Sequence, residues 1–190
     1  KKIKHFKIIL DFLKTQKKGG NILDIGCGFG WMLNELKSKK WKKYGIEISK
    51  VAKIEAIKNN IEIFNNLKNI EKKKFDIISM IHVIEHIYEP VEYFKIIKKK
   101  LKKNGILIIE TPDFDCAMAR KYGKKFRLLH DKTHVSLFSL DSLCRMLRDN
   151  NFKIFKIEFP FFEGEYFTKK NLLKLFSEKI AYSPPFYGSV

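Results

Sequence analysis

Arginine, cysteine and long apolar runs are scarce in this 190-residue chain, and each shortage excludes something. Only four arginines, Arg120, Arg127, Arg145 and Arg148, stand among 39 basic residues, so the planar forks that grip phosphate through two bonds are few. The three cysteines, Cys27, Cys116 and Cys144, form neither a CxxC pair nor a zinc spacing. Free thiols in a reducing compartment, and so a cytoplasmic location, are the expectation. No apolar stretch approaches the roughly 20 residues that a membrane span needs. Lysines interrupt the first apolar segment, so no signal peptide is visible. Low-complexity linkers and internal repeats are missing, which points to a single domain over 1–190. Lys1 stands where an initiating Met would, as expected of a fragment.

Lysine is in excess. The formal net charge is +18, and two readings of it stay open. One is a polyanionic partner such as RNA, DNA or an acidic membrane surface. The other is compositional drift. The lysines are spread in short groups, at 17–18, 39–43, 72–74 and 98–103, and flank predicted helix ends and turns, while Ile and Asn are frequent throughout. The scarcity of arginine favours the second.

Apolar spacing alternates between the helical and the extended period. Ile3, Phe6, Ile9, Leu10 and Leu13 share one helical face, a strand follows at 22–25, a helix at 29–37 and a second strand at 43–48. Ser49 is placed to cap a third helix with Val51, Ile54 and Ile57 facing inward. A short strand at 61–64 precedes 75–83, whose nearly continuous apolar run predicts a strand buried on both faces. Pro90 suits the first turn of a helix with Val91, Phe94, Ile97 and Leu101 inward; Asn104-Gly105 reads as a turn and 106–110 as a fifth strand. The alternation predicts an α/β fold, a doubly wound, mostly parallel, Rossmann-like sheet with helices on both faces. Residues 1–110 would form the cofactor half. Residues 111–138 read as a lid or acceptor loop. Residues 139–190 would complete the substrate side, with a helix at 140–150 (Leu143, Met146 and Leu147 inward), a strand at 152–159 and an amphipathic helix at 171–181. That last helix, basic from Lys169, is suited to packing on the sheet or to weak contact with an anionic membrane.

The most informative residues are ILDIGCGFG at 22–30 and Glu47, which closes the next apolar run. Glycines at 26, 28 and 30 let the backbone turn sharply and let a ligand approach. A carboxylate about 20 residues after such a turn is placed to accept hydrogen bonds from ribose hydroxyls. A dinucleotide fingerprint, GxGxxG, requires a glycine where Trp31 stands, so nicotinamide chemistry is disfavoured.

Asp24-x-Gly26-x-Gly28-x-Gly30 with Glu47 resembles the first two motifs of the class I S-adenosylmethionine-dependent methyltransferases. FDIISMIHVIEHIYEP, NGILIIETPDF and HVSLFSLDSLCRMLRDNNF resemble later motifs of a bacterial and archaeal group within it (methyltransferase type 11/12/23-like), and SPPFYGS resembles that group's lead-in to its last strand. Asn151 replaces the group's usual glycine, and the seventh strand is expected to be truncated. The resemblance implies S-adenosylmethionine as cofactor and a small-molecule or saccharide acceptor, methylated on oxygen or nitrogen by in-line displacement. It implies cofactor contacts at Asp24, beneath the methionine end, and at Gly26, Cys27, Gly28, Gly30, Glu47, Ile48, Asn66, Leu67 and Ile81. A strand-end acid capping the turn is the plainer reading of Asp24, and a turn asparagine that of Asn66. His134 and His82 are the expected bases should the acceptor need one, because imidazole titrates near neutrality. His86, His130 and Phe138 are expected on the substrate side. Glu85 and His86 also read as a structural pair. No third ligand with metal spacing is evident, so no metal is expected. An RNA methyltransferase using the basic surface, and a non-catalytic cofactor-binding subunit or inactive fragment, remain alternatives; oligomeric state is not legible.

Overall fold

A computed structural model of the chain describes residues 6–159, together with Lys169 and Leu173. Helix α1 (Lys7–Gln16) leads into β1 (Gly20–Ile25), the single-turn α2 (Trp31–Asn34), β2 (Trp41–Ile46), α3 (Lys50–Lys58) and β3 (Glu62–Phe64). Then come β4 (Phe75–Ile81), α4 (Pro90–Lys100), β5 (Leu101–Glu110), α5 (Ala117–Tyr122) and α6 (Leu140–Asp149). The sheet order is β3-β2-β1-β4-β5 and every pairing is parallel. The chain order reverses between β1 and β4, the crevice at which sheets of this kind bind ligands, beyond the strands' carboxyl ends.

Both faces of the central strands are covered, because adjacent side chains point to opposite sides. Ile22 and Ile77 join a core with Ile9, Leu10 and Leu13 of α1 and with Met32 and Leu33 of α2. Leu23 and Ile78, one residue on, join another with Phe94 and Ile97 of α4 and Leu143 of α6. The apolar run of β4 is thus the doubly buried strand its sequence predicts.

Several expectations are corrected. Helix α2 is shorter than 29–37, because the amides of Glu35 and Leu36 bond to carbonyls three residues back and tighten the last turn. Ser49 does cap α3, accepting from Ala52 N. The buried face of α3 is nevertheless Ala52 and Ala56, while Val51, Ile54 and Ile57 are 70%, 58% and 58% exposed. Small side chains win that face because the helix lies close to the glycine turn: a Cβ on Gly30 would stand 3.7 Å from the Ala56 methyl. Val91 likewise faces outward. Asn104-Gly105 is an irregularity inside β5 rather than a turn between elements, with Asn104 at φ 60° and a register shift opposite Phe75 and Ile77.

Residues 152–159 form no strand. They run outside β5 across a cleft of about 850 Å³ lined by Ile9, Phe12, Leu107, Ile109 and Phe155, so their backbone does not reach the β5 ladder. No residue of the glycine turn lines this cleft. The predicted helix at 171–181, apart from Leu173, and the truncated seventh strand lie outside the described residues. Among the described residues no helix is long and apolar enough to cross a membrane.

Truncating Phe94, fully buried beneath β4, is expected to cost about 3–5 kcal/mol in urea denaturation. Ile54→Asn, on the exposed face of α3, is expected to change stability by no more than about 0.5 kcal/mol.

Candidate active site

The turn after β1 is pinned before any ligand arrives. Gly26 N and Cys27 N both donate to Ile46 O, at 2.8 and 3.1 Å, tying the turn to the end of β2. Gly26 and Gly28 adopt φ 74° and 54°, the left-handed region that favours glycine. A Cβ on Gly26 would stand 2.5 Å from a methyl of Val83, whereas one on Gly28 would meet no atom within 4 Å. The first position is closed by the β4 loop and the second opens to the ligand side. Cys27 is a small buried residue of the turn, its thiol pushed up to about 12 by burial and by the charges of Asp24 and Glu47.

Glu47 is the strut of this corner. Its carboxylate accepts from Gly28 N, Ile48 N and Ser49 N, each at 2.8 Å. A carboxylate has about four lone-pair sites, so one remains for a donor on the open side.

Asp24 lies behind the turn, in register with Ser79 of β4. Ser79 Oγ donates to Asp24 Oδ1 at 2.7 Å. Burial raises the Asp24 pKa to about 7 despite that bond, and the charge of Glu47 adds to the rise.

At the end of β4, His82 takes φ 53°, an uncommon conformation for a side-chain-bearing residue, secured by its N–H bonding to Glu110 O at 2.8 Å. Its ring lies 3.4 Å from both Glu85 Oε1 and Glu110 Oε1. Burial works against the imidazolium, but Glu110 and Glu85 outweigh it and raise its pKa to about 9. Burial also opposes the charge of Glu85, yet His82, a backbone N–H and Thr111 hold its carboxyl below the usual range. The two carboxylates favour the protonated ring, which bears against the base role expected of it, and they link the ends of β4 and β5 through His82.

The 111–138 segment has structure of its own. Phe126 and Leu128 form a small core with Phe114, Ala119 and Tyr122, and the returning leg is fastened to the β4 loop. Val135 N and Ser136 N donate to Glu85 O, at 2.9 and 3.0 Å, and Ser136 Oγ donates to Ile87 O at 2.7 Å. This brings His134, whose side chain is 8% exposed, beside His86 with ring centroids 5.0 Å apart. Asp131 Oδ2 lies 3.7 Å from His134 Nε2. The Thr133 hydroxyl and N–H, then the neighbouring imidazoles, hold the Asp131 carboxyl below its usual range. Donor atoms of Glu85, His86 and His134 fall within 4.8 Å of one another, a grouping invisible to sequence spacing.

The other expected residues differ in placement. Phe138 is 4% exposed in the main core, which removes it from the substrate side. The Leu67 side chain is also in that core, so only its backbone is available to a ligand. Asn66 caps the short helix Leu67–Asn69 by accepting from Asn69 N, the turn role. His130 is exposed, with Nε2 2.9 Å from Lys124 O, and does not join the histidine pair. Ile48 is exposed and Ile81 half-buried, both just beyond or at strand ends on the crevice edge. Sequence reasoning missed Ser79, Glu110 and Thr111. Glu110 had a signal, an acid closing an apolar strand as Glu47 does; Ser79 becomes visible only once β4 is known to pair with β1.

Gly26→Ala is expected to destabilise the protein by about 1–3 kcal/mol through its left-handed backbone, with Val83 crowding as well. Asp24 has a test by pH. Its folded pKa lies above the unfolded value of 3.8, so its contribution is full below that value and lost as pH rises through about 7. Relative to wild type, Asp24→Asn should therefore gain stability between pH 5 and 8, measured by denaturation at each pH.

The chain is 37% identical over 102 residues to the ubiquinone biosynthesis O-methyltransferase of Pelagibacter ubique, covering 50% of this chain and 42% of that protein. It is 27% identical over 137 residues to the mitochondrial enzyme of that name from Dictyostelium discoideum, covering 58% and 40%. The chain thus spans about two fifths of the length of these relatives. A SAM-dependent methyltransferase of Thermotoga maritima, described as a possible histamine N-methyltransferase, superposes with TM-score 0.61 at 25% identity, covering 80% of this chain and 73% of that one. The magnesium protoporphyrin IX methyltransferase of Synechocystis PCC 6803, solved with S-adenosylhomocysteine, shares the fold with TM-score 0.66 at 18% identity, covering 83% and 77%. Residues 3–157 match the family model described as a methyltransferase domain, and the chain belongs to that family, on the Rossmann-like fold of the S-adenosylmethionine-dependent methyltransferases.

Proposed function

We propose that this domain binds S-adenosylmethionine at the carboxyl edge of β1 and β2 and methylates an oxygen of a small-molecule acceptor. One observation carries the reading: an open glycine turn whose own amide is bonded to the strand-end carboxylate of Glu47. The residues fit the cofactor. Gly28 leaves room above the turn, Glu47 keeps acceptor capacity for ribose hydroxyls, and Asp24 sits behind the turn where an ammonium can be met directly or through a water. When bound, the cofactor supplies a methyl on a sulfonium whose positive charge is lost on transfer, so the leaving group needs no acid. What the chain contributes is orientation and the exclusion of water. Two catalytic consequences follow for its residues. His82, charged between Glu85 and Glu110, holds the β4 loop against β5 and moves no proton. An oxygen acceptor must lose its proton, and the His134 imidazole is the group suited to take it. Its Nδ1 lies 3.2 Å from Leu128 O, an acceptor, which places the ring hydrogen there and the lone pair on Nε2. The relatives named for ubiquinone biosynthesis support an oxygen on a small quinone-like precursor as the acceptor.

Calorimetry tests the reading. S-adenosylmethionine or S-adenosylhomocysteine should bind saturably and NADH should not; NADH binding alone would overturn it. Glu47→Ala should weaken cofactor binding at least tenfold, since it removes a ligand acceptor and the strut of the turn together. Below pH 7, where Asp24 holds its proton in the ligand-free protein, binding opposite an ammonium should release a proton. That release should vanish by pH 8 and in Asp24→Asn, as measured by heats in buffers of different ionisation enthalpy.

A further inference from the structure

We infer that the amino edge of the sheet, opposite the glycine turn, is a docking face for the sugar–phosphate backbone of a nucleic acid strand. The lysine groups that lie dispersed along the chain meet there. Those at 17–18 and 72–74 precede β1 and β4, that at 39–43 opens β2, and that at 98–103 runs from the end of α4 into β5. Each crossover of a parallel sheet returns the chain to the same edge before the next strand starts. The parallel pairing of β2, β1, β4 and β5 therefore collects these separate groups into one row. Strand β1 is 6 residues long, so the row lies about 20 Å from the glycine turn at the strand's other end.

Contacts between the loops fix the row. Gly20 N donates to Lys40 O at 3.0 Å, and a Cβ on Gly19 would stand 2.5 Å from the Lys40 Cβ, so the first and second groups abut. Asn21 Nδ2 donates to Lys74 O at 3.0 Å, which joins the first group to the third. Lys74 Nζ donates to Lys99 O, which joins the third to the fourth. Acids are scarce here: across 17–21, 38–43, 71–76 and 98–105 they are Glu71 and Asp76 alone. Asp76 is matched by Lys102 at 2.7 Å. Burial opposes the Asp76 charge, yet Lys102, the Asn21 N–H and Lys17 hold its carboxyl below the usual range. Lys18, Lys40, Lys72 and Lys103 are exposed and have no ion pair among the described residues.

The chemistry of the row selects the partner. Strands about 4.8 Å apart set the entries of β2, β1, β4 and β5 along roughly 15 Å, a length that spans several phosphates of one strand. Lysine holds phosphate as a point charge, without the bidentate geometry of arginine, so the face suits a backbone bound without regard to sequence. A protein partner would need a desolvated core with aromatic or arginine anchors. A membrane surface is held by buried apolar area as well as by charge. Of the exposed large apolar side chains among the described residues, none belongs to these stretches, and their aromatics, Trp41 and Phe75, are buried. A strand bound here lies away from the cofactor edge and is not the methyl acceptor. The inference stands apart from the proposed methyl transfer.

The test follows the anisotropy of a fluorescein-labelled oligouridylate titrated with the full chain at several KCl concentrations. Saturable binding is expected, with log K falling against log salt at a slope of about −2 to −3, as three or four phosphate contacts require. Lys18→Glu, Lys40→Glu and Lys103→Glu combined should weaken binding at least tenfold. Lys68→Glu, Lys124→Glu and Lys125→Glu combined, at exposed lysines outside the row, change the net charge equally and should weaken it less than threefold. Thermal melts confirm that both triple variants fold. Absence of binding near physiological salt would overturn the face. So would equal losses in the two variants, the mark of charge spread over the whole surface. Binding to vesicles of mixed phosphatidylglycerol and phosphatidylcholine, with none to the oligouridylate, would overturn it in favour of a membrane. S-adenosylmethionine calorimetry on the same samples separates the readings. Cofactor binding without oligouridylate binding defeats only this face, and the reverse defeats only the proposed function.

Discussion

Because β4 pairs directly with β1, although the chain completes β2 and β3 between them, two loops distant in sequence leave the sheet side by side. Everything chemical in the molecule depends on that adjacency. It sets Ser79 against Asp24 and presses Val83 on Gly26. It also places His82, Glu85 and His86 on the edge where the glycine turn opens. The adjacency is stable because β4 is apolar on both faces and satisfies two separate cores at once, an arrangement open only to a central strand. The second neighbour of β4, β5, then delivers Glu110 and Thr111 to the same edge.

Around this edge the protein handles buried acids in three ways, each suited to a different use. Glu47 remains partly exposed and is held by three backbone N–H groups, so it is fixed before a ligand arrives. Asp24 is buried with one hydroxyl donor, which does not offset its desolvation, and it holds a proton near neutrality. Such a group ionises readily only when a cation comes to face it. Glu85 and Glu110 share the His82 cation, and the left-handed backbone of His82 is the strain the clamp sustains. The large positive charge of the chain plays no direct part here, since the cation between the strands is a histidine.

The elements of the sheet were legible because strand and helix periods are local properties, and the glycine turn because three left-handed or close-approach positions require glycine in sequence order. The facing of α3 was not. Val51, Ile54 and Ile57 have the spacing of an inward stripe, yet Ala52 and Ala56 are inward because the helix must lie close to Gly30, a constraint from another element. Phe138, expected on the substrate side from the resemblance, is placed by another such constraint: the 111–138 segment returns to the main core and buries it there. The strand expected at 152–159 failed because alternation describes a segment's faces and says nothing of whether a free edge lies within hydrogen-bonding reach.

The amino-acid sequence alone therefore determined the family resemblance, the parallel α/β sheet, the glycine turn and the carboxylate that supports it, since all of these rest on backbone conformations and burial periods set within short windows. Only the tertiary structure decided what the histidines are. His82 reads as a base until a carboxylate from the turn after β4 and another from the end of β5 stand 3.4 Å from its ring and favour the protonated form. His86 and His134 read as unrelated until the 111–138 segment folds back and hydrogen-bonds to the Glu85 carbonyl. Titration and ring contacts depend on distances between side chains far apart in sequence, and those distances exist only once the strands have been ordered.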